Sequence, residues 1–236
     1  MRPAKASIDL DALRHNLALA ARSAPESRNI AVIKANGYGH GMVEAARALQ
    51  GLANGLAVAT MDEAMTLRDA DIEGPVLVLQ GANTVGDIAE AAARSLWLMV
   101  HEPRQLEWLG SHAGPPVGAW LKIDTGMHRL GFSPSDAPRV IDRLLASEAV
   151  DVAPVLCTHL ACADELENPE TPQQIEAFHL VSGERGLPTS IANSAGILHW
   201  PAAHADWNRP GIMLYGCDPT GSFDGDTELE PVMTVS

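Results

Sequence analysis

The chain has 236 residues, 46% of them apolar, which is enough to bury the core of one barrel-sized domain or two small ones. Its 16 basic and 30 acidic residues give a net charge of −14, and an acidic surface argues against nucleic acid and anionic membranes as partners. No apolar run approaches the roughly 20 residues needed to cross a bilayer. The first thirty residues do not have the pattern of a secretory leader. We therefore expect a cytoplasmic protein.

Short apolar runs alternate with helix-period segments along most of the chain. The runs predicted as parallel strands lie at residues 29–33, 56–59, 76–79, 96–100, 117–123, 152–158, 189–192 and 206–209. Repeated strand–helix units around a parallel sheet are typical of α/β proteins, and a barrel of eight such units needs about 250 residues. We therefore predict an eight-stranded β/α (TIM-like) barrel rather than an open doubly wound sheet.

Several segments mark the boundaries of this barrel. A short strand is predicted at residues 7–10, ahead of a helix starting near Asp11, and Pro172 and Pro188 bracket a further helix. The Asp-, Gly- and Thr-rich stretch 218–227 is typical of a loop or linker, and residues 231–236 end in a β-prone run. We predict a barrel domain over residues 1–220 and a linker with the start of a second, β-rich domain over residues 221–236.

The three cysteines do not indicate a metal or disulfide site. They are odd in number and lack C-x-x-C spacing, so neither a disulfide framework nor a zinc ribbon is supported, and no metal is expected.

Lys34 stands where a barrel active site is expected, directly after the first predicted barrel strand. Desolvation at a barrel mouth lowers a lysine pKa and makes the amine nucleophilic toward an aldehyde or ketone. The alternative is a surface lysine whose stem lies along apolar surface. The chain has only two other lysines, Lys5 and Lys122, so its surface is not lysine-rich.

The loop after Lys34 has glycine at every second position, but it does not match the known phosphate-binding patterns. Gly37, Gly39 and Gly41 are followed by Met42 where a dinucleotide-binding fingerprint needs its third glycine, and no Gly-Lys-Ser or Gly-Lys-Thr ending is present.

Two further groups of residues follow the later strands. Lys122 and Asp124 are two apart and share one side of a strand, so they form either a structural ion pair or a barrel-interior site with a chemically altered lysine. The ends of the last three strands carry polar groups around His159, Ser194 and Arg209. Barrels often bind phosphate there, where backbone N–H groups meet the anion. A cofactor that carries both a phosphate and an aldehyde would use both the Lys34 end of this mouth and the phosphate end at the last strands.

Five motif groups together resemble the alanine racemase family of bacterial pyridoxal-phosphate enzymes. They are AVIKANGYGHG at residues 31–41, KIDTGMHRLG at 122–131, Thr158-His159, Asn193-Ser194 and RPGIMLYG at 209–216, in the family's order and across nearly the whole chain. The first two are specific in combination, whereas AVIK alone would not be.

The resemblance implies a cofactor site for pyridoxal 5'-phosphate. Lys34 would carry the cofactor as a Schiff base and act as one catalytic base. The phosphate would be held by Tyr38, Asn193, Ser194, Gly211 and Ile212.

The resemblance also assigns four charged or titratable positions. Arg209 would face the pyridine nitrogen, with His159 hydrogen-bonded behind it. Because a guanidinium keeps its proton, the ring would stay unprotonated and side reactions such as transamination would be suppressed. Arg129 would help to bind the substrate carboxylate, and Lys122 matches a position that can be carbamylated.

The implied activity is interconversion of L-alanine and D-alanine by two bases. The second base is a tyrosine of a C-terminal β-domain that reaches the site from the other subunit of a homodimer, and the tyrosines present, Tyr38 and Tyr215, match barrel positions. We therefore expect the chain to be inactive or nearly so alone, with residues 7–10 normally pairing with the missing domain. The parent enzyme would make D-alanine as a peptidoglycan precursor or degrade alanine.

Two alternatives remain open at this stage. The cofactor motifs give no information about the substrate side chain, so a serine or lysine racemase would have the same motifs. A single-domain, non-catalytic pyridoxal-phosphate homeostasis protein matches the length better, although its lysine loop lacks the NGYGHG continuation.

Overall fold

The structure is a computed structural model that describes residues 4–151, 153–183, 185–221 and 228–236. The described strands are, in chain order, β1 (Ala6–Ile8), β2 (Arg28–Val32), β3 (Gly55–Val58), β4 (Val76–Val78), β5 (Leu96–Val100), β6 (Gly118–Lys122), β7 (Val155–Cys157), β8 (Thr189–Ser190), β9 (Trp207–Asn208) and β10 (Met233–Val235).

Helices alternate with the strands along the chain. They are α1 (Leu10–Ser23), α2 (Lys34–Tyr38), α3 (Met42–Leu49), α4 (Met61–Asp69), α5 (Val85–Ala93), α6 (Pro103–Ser111), α7 (Ala137–Leu145), α8 (Glu170–Ser182) and α9 (Ser194–His199), with 3₁₀ turns at Pro201–Ala203 and Ile212–Tyr215. The prolines do not bracket α8 as predicted. Pro172 lies within its first turn, where a backbone N–H has no helical partner to lose.

Eight parallel strands form a nearly closed barrel, which confirms the predicted fold class. Their order is β8-β7-β6-β5-β4-β3-β2-β9, so β8 and β9 flank the seam. The Ser190 hydroxyl donates to the Trp207 carbonyl across the seam at 2.6 Å, and the Arg209 amide donates to the Ala192 carbonyl at 3.0 Å. Each predicted barrel strand is found, although the first residue of the one at 152–158 lies outside the described residues.

The barrel interior is packed and closed toward the amino-terminal ends of the strands. The rings of Trp97, Trp120 and Trp207 lie within 5.8–6.3 Å of one another there. Gly118 makes room for this cluster, since a Cβ at that position would come within 2.1 Å of the Trp97 ring. A barrel plugged at this end can take a ligand only at its carboxyl-terminal mouth.

The two terminal strands form a separate small sheet. β1 pairs antiparallel with β10, Ile8 opposite Met233, so the amino-terminal strand pairs with the segment predicted as the start of the second, β-rich domain. This strand ends earlier than predicted because the Asp9 carboxylate caps α1, accepting hydrogen bonds from the amides of Asp11 and Ala12.

Among the described residues, no helix is both long and apolar enough to span a membrane, and no cluster of three or more His, Cys, Asp or Glu side chains could hold a metal ion. Cys157, Cys162 and Cys217 are free thiols, and the first of them is buried inside the barrel.

Candidate active site

A cavity of about 330 Å³ opens at the carboxyl-terminal mouth of the barrel. It brings together nine of the ten residues predicted from the sequence: Lys34, Tyr38, Lys122, His159, Asn193, Ser194, Arg209, Gly211 and Ile212. The tenth, Arg129, is exposed and lies outside the lining, which its neighbour Leu130 joins. Its charge nevertheless lowers the pKa of Lys34.

Lys34 begins a left-handed helical turn, which replaces the glycine-rich loop predicted from the sequence. Ala35, Asn36 and Gly37 have φ values of 53°, 53° and 64°, and Tyr38 has a φ of 51°. A left-handed conformation costs about 1–2 kcal/mol for each ordinary L-residue, and glycine removes that penalty at one of the four positions. Because of this turn, Lys34 and Tyr38 both line the cavity although they are four residues apart.

The surroundings of Lys34 favour the neutral amine. Desolvation lowers the pKa of Lys34, the positive charge of Arg129 lowers it further, and the carboxylate of Glu63 raises it. Since only the neutral amine attacks a carbonyl carbon, a lowered pKa increases the reactive fraction near neutral pH.

Lys122 is the last residue of β6 and lies opposite Cys157 of β7. Desolvation lowers the pKa of Lys122 to about 8, with Cys157 and Asp124 opposing the shift and the charges of Arg209 and Arg129 adding to it. The amine is therefore partly neutral near physiological pH.

The Lys122–Asp124 ion pair, one of the two alternatives left open by the sequence, is not formed among the described residues. The Asp124 carboxylate lies beyond the strand end, where it accepts from the amides of Gly126 and His128 at 3.1 and 2.9 Å and meets the His128 ring at 3.4 Å. Desolvation alone would raise the pKa of Asp124, but these hydrogen bonds lower it. Asp124 thus anchors the loop that leads to Arg129.

Arg209 is buried and fixed by three acceptors. One terminal nitrogen donates to the Ser190 hydroxyl, and the other donates to the carbonyls of Thr158 at 2.6 Å and Ile191 at 3.1 Å. The Nε–H of Arg209 has no acceptor among the described residues, which leaves it available to a ligand.

His159 lies in the cavity wall as a neutral ring. Burial, together with the positive charges of Lys122 and Arg209, holds the pKa of His159 well below its usual range. The expected hydrogen bond between His159 and Arg209 is not found within the described part of the chain. The terminal nitrogens of Arg209 are instead directed to Ser190, Thr158 and Ile191.

The end of the cavity beside Gly211 is lined by small and hydroxyl-bearing residues. The Ser194 hydroxyl accepts from the amides of Gly211 and Met213 at 3.0 and 3.2 Å. Asn193 caps α9, its side-chain oxygen accepting from the Gly196 amide at 3.0 Å. A Cβ at residue 211 would lie 3.0 Å from the Tyr38 hydroxyl, so glycine keeps this end open.

Two residues that contact this site were missed from the sequence. Ser190 holds Arg209, and the Glu63 carboxylate contacts the turn after Lys34. A T-x-x-E pattern at residues 60–63 predicts only a helix cap, and a single serine on a two-residue strand carries no signal of its own.

The chain is similar to known proteins over its whole length. Residues 8–219 match the family model described as "Alanine racemase, N-terminal domain". The chain is 49% identical over 238 residues to the alanine racemase of Thioalkalivibrio sulfidiphilus and 47% identical over 240 residues to that of Xanthomonas axonopodis pv. citri. All of the chain is covered in both matches, but it spans only 66% and 64% of the lengths of these relatives.

Solved structures agree with these relatives. The biosynthetic alanine racemase from Pseudomonas aeruginosa matches with a TM-score of 0.94 at 42% identity, and the alanine racemase from Acinetobacter baumannii with 0.92 at 33%. Both matches cover 100% of this chain, and 66% and 70% of the two solved chains.

Proposed function

Since the chain belongs to the alanine racemase family, we propose that it forms the pyridoxal-phosphate-binding barrel of an enzyme that interconverts L-alanine and D-alanine. The observation that carries this proposal is the single cavity that gathers nine predicted cofactor and lysine positions.

The donor set fits pyridoxal 5'-phosphate. When bound, this cofactor supplies an aldehyde that joins covalently to an amine and a ring that stabilises negative charge at the substrate α-carbon. Lys34 lines the cavity. The Tyr38 hydroxyl, whose pKa burial raises, stays protonated as a donor beside the open space at Gly211.

Arg209 would act on the cofactor ring, and Lys34 would act on the substrate. The Nε–H of Arg209 is the donor expected to meet the ring nitrogen, and because a guanidinium keeps its proton it leaves that nitrogen unprotonated. Lys34 would remove or return the proton on one face of the alanine α-carbon. Arg129, exposed at the rim, is the expected partner of the substrate carboxylate.

We infer that the second base is not a residue of this barrel. Tyr215 is buried with its pKa raised, and its hydroxyl has no hydrogen-bond partner among the described residues, while Tyr38 lines the cavity and is expected to hold the phosphate. The relatives are about half as long again as this chain. We expect the second-base tyrosine in a β-rich C-terminal domain supplied across a homodimer.

Lys122 is proposed to carry a carbamate. Its neutral amine would form a C–N bond to CO₂ and release one proton, which gives an anion; starting from the ammonium form, two protons are released in all. That anion would oppose the nearby charges of Arg129 and Arg209, both of which act on Lys122.

Several finer expectations remain predictions. They are the barrel boundary near residue 220, cytoplasmic location, and supply of D-alanine for peptidoglycan precursors. A serine or lysine racemase and a non-catalytic cofactor-binding protein also remain alternatives, but all the relatives reported above are alanine racemases.

Borohydride reduction in the presence of pyridoxal phosphate tests the cofactor site. We expect visible absorbance on mixing and, after reduction and peptide mapping, a fixed cofactor at Lys34 only. Lys34→Ala should abolish fixation, whereas Lys5→Ala, at an exposed lysine, should retain it. Fixation spread over Lys5 and Lys122, or none in the wild type, would contradict the proposal.

An alanine racemisation assay tests the second base separately. The 236-residue chain loaded with cofactor should racemise alanine very slowly or not at all. Turnover matching that of a full-length relative would contradict a base supplied from outside the barrel.

A further inference from the structure

The side chain of Glu63 joins two elements of the barrel mouth. One carboxylate oxygen accepts from the Asn36 amide at 3.2 Å, inside the left-handed turn α2. The other accepts from the Ala59 amide at 2.7 Å, directly after β3. A single side chain on α4 thus ties the turn that begins with Lys34 to the neighbouring strand end.

This use of the carboxylate departs from ordinary helix capping. In the capping box of α5, Asp87 accepts from the amides of Asn83 and Thr84, so its bonds stay at its own helix terminus. Glu63 occupies the equivalent third position of α4, where its amide donates to the Thr60 hydroxyl at 3.3 Å. Its carboxylate, however, accepts with one oxygen from an amide just before its own helix and with the other from an amide of α2.

The turn that receives this bond requires external support. Three of the four left-handed residues after Lys34 carry a Cβ, a conformation that persists only where surrounding contacts determine it. On the far side, the Asn36 side-chain oxygen accepts from the Met42 amide at 3.0 Å and ties the turn to α3. Asn36 is therefore held from both sides, by Glu63 through its amide and by α3 through its side chain.

Glu63 also acts on Lys34 through charge. Burial and the Arg129 guanidinium lower the pKa of Lys34, and the Glu63 carboxylate opposes both. Six further titratable side chains line the same cavity, namely Tyr38, Lys122, Cys157, His159, Asp164 and Arg209. Among the charged groups acting on Lys34, Glu63 is the one that favours its protonated form.

We propose that Glu63 is a positioning residue for Lys34: its bridging carboxylate fixes the left-handed turn so that Lys34 and Tyr38 face the cavity together, and its negative charge favours the protonated form of the Lys34 amine. The role of Lys34 that this serves rests on the proposed function, but the bridge and the charge are properties of the cofactor-free protein.

The charge component is tested without cofactor. Reductive ¹³C-methylation of the lysines followed by NMR titration reports each lysine pKa separately, and the chain has only three. Glu63→Gln should lower the pKa of Lys34 and leave that of exposed Lys5 unchanged. Asp62→Asn removes the same charge from the adjacent, exposed position of α4 and should leave Lys34 close to its wild-type pKa.

The bridging component is tested by amide hydrogen exchange. The glutamine of Glu63→Gln keeps one acceptor oxygen, and we expect it to retain the shorter bond to Ala59 and release the Asn36 amide. Glu63→Ala releases both amides. Protection at Asn36 should therefore fall in both variants, while protection at Ala59 should fall only in Glu63→Ala.

Cofactor affinity links the two components to the site. A hydrogen bond to a charged group contributes enough that its loss should weaken pyridoxal phosphate binding about tenfold in Glu63→Gln, with Asp62→Asn unchanged. Circular dichroism and thermal unfolding establish that each variant is folded.

The outcomes separate this proposal from the proposed function. If wild-type protein fails to fix the cofactor at Lys34, the proposed function fails, while the pKa and exchange results still decide the role of Glu63. If folded Glu63→Gln keeps both the Lys34 pKa and the Asn36 protection of the wild type, the positioning role of Glu63 is overturned.

Discussion

Lys34 and Lys122 line the same cavity, but the barrel treats them differently. Lys34 lies outside the strand, on a left-handed turn that the carboxylate of Glu63 contacts, and that carboxylate partly restores its pKa. Lys122 ends a strand inside the barrel, and burial lowers its pKa to about 8. Asp124, the nearest acidic residue in sequence, directs its hydrogen bonds to its own loop.

The different surroundings of Lys34 and Lys122 suit their amines to different chemistry. An amine that must attack and transfer protons repeatedly needs a charge balance that lets it exist in both forms, and at Lys34 the Arg129 cation and the Glu63 carboxylate act in opposition. For Lys122 burial is the largest influence and lowers its pKa; Cys157 opposes this, Arg209 and Arg129 add to it, and the protonated form is disfavoured on balance. The free-energy cost of burying such a positively charged amine is removed when the amine loses its proton or is converted to an anion.

The largest expected effect is on the pH dependence of stability at Lys122. Its pKa is about 8 in the folded chain against 10.5 for the ordinary side chain. Below pH 8 both states are protonated and the folded state carries the full penalty; as pH rises from 8 to 10.5 the folded state loses its proton first and the penalty disappears. In CO₂-free buffer, the free energy of unfolding should therefore rise across this range by about 3 kcal/mol more in the wild type than in Lys122→Met.

Denaturant unfolding at a series of pH values measures this difference, since the other titrating groups are common to both proteins. Lys34→Met serves as the matched control, with a smaller change because Lys34 is only half-buried and Glu63 opposes the shift. Parallel pH profiles for wild type and Lys122→Met would mean that Lys122 is not penalised by burial.

A smaller effect is expected from dissolved CO₂. If Lys122 forms a carbamate only in the folded chain, CO₂ about fivefold above its dissociation constant should stabilise the protein by about 1 kcal/mol near pH 8. ¹³CO₂ should give one carbamate signal by NMR that survives Lys34→Ala and disappears in Lys122→Met. A plain amine at Lys122 under these conditions would contradict the carbamate and leave the two lysines alike in chemistry.

Much of this fold could be predicted from the sequence because it depends on periodicity. The strand predicted at residues 96–100 coincides with β5, and that at 117–123 differs from β6 by one residue at each end. These strands are apolar runs buried on both faces, a pattern that needs no knowledge of the rest of the chain. The strand at residues 189–192 is shorter than predicted, since only Thr189–Ser190 pairs with β7 before the chain leaves the barrel at the seam.

The site was less predictable where tertiary contacts decide the local conformation. The glycine spacing after Lys34 indicated a loop, but a left-handed turn with Ala35 and Asn36 at positive φ violates residue preference, and only contacts from α3 and α4 explain it. The Lys122–Asp124 pair was proposed from strand alternation, yet β6 ends at Lys122 and the carboxylate turns to the next loop. Ser190 was missed because its partner, Arg209, is 19 residues away in sequence.

The smallest expected effect comes from Arg129, whose charge acts on both lysines. Its positive charge lowers the pKa of both Lys34 and Lys122, so Arg129→Gln should raise both. Because Arg129 is exposed, screening limits the change, and fixation of pyridoxal phosphate at Lys34 near pH 7 should slow only about twofold. Arg139→Gln, at another exposed arginine, is the control and should leave the rate unchanged. Equal fixation rates for the two variants would mean that the charge of Arg129 does not act on Lys34. That result would contradict the opposition between Arg129 and Glu63 at this amine.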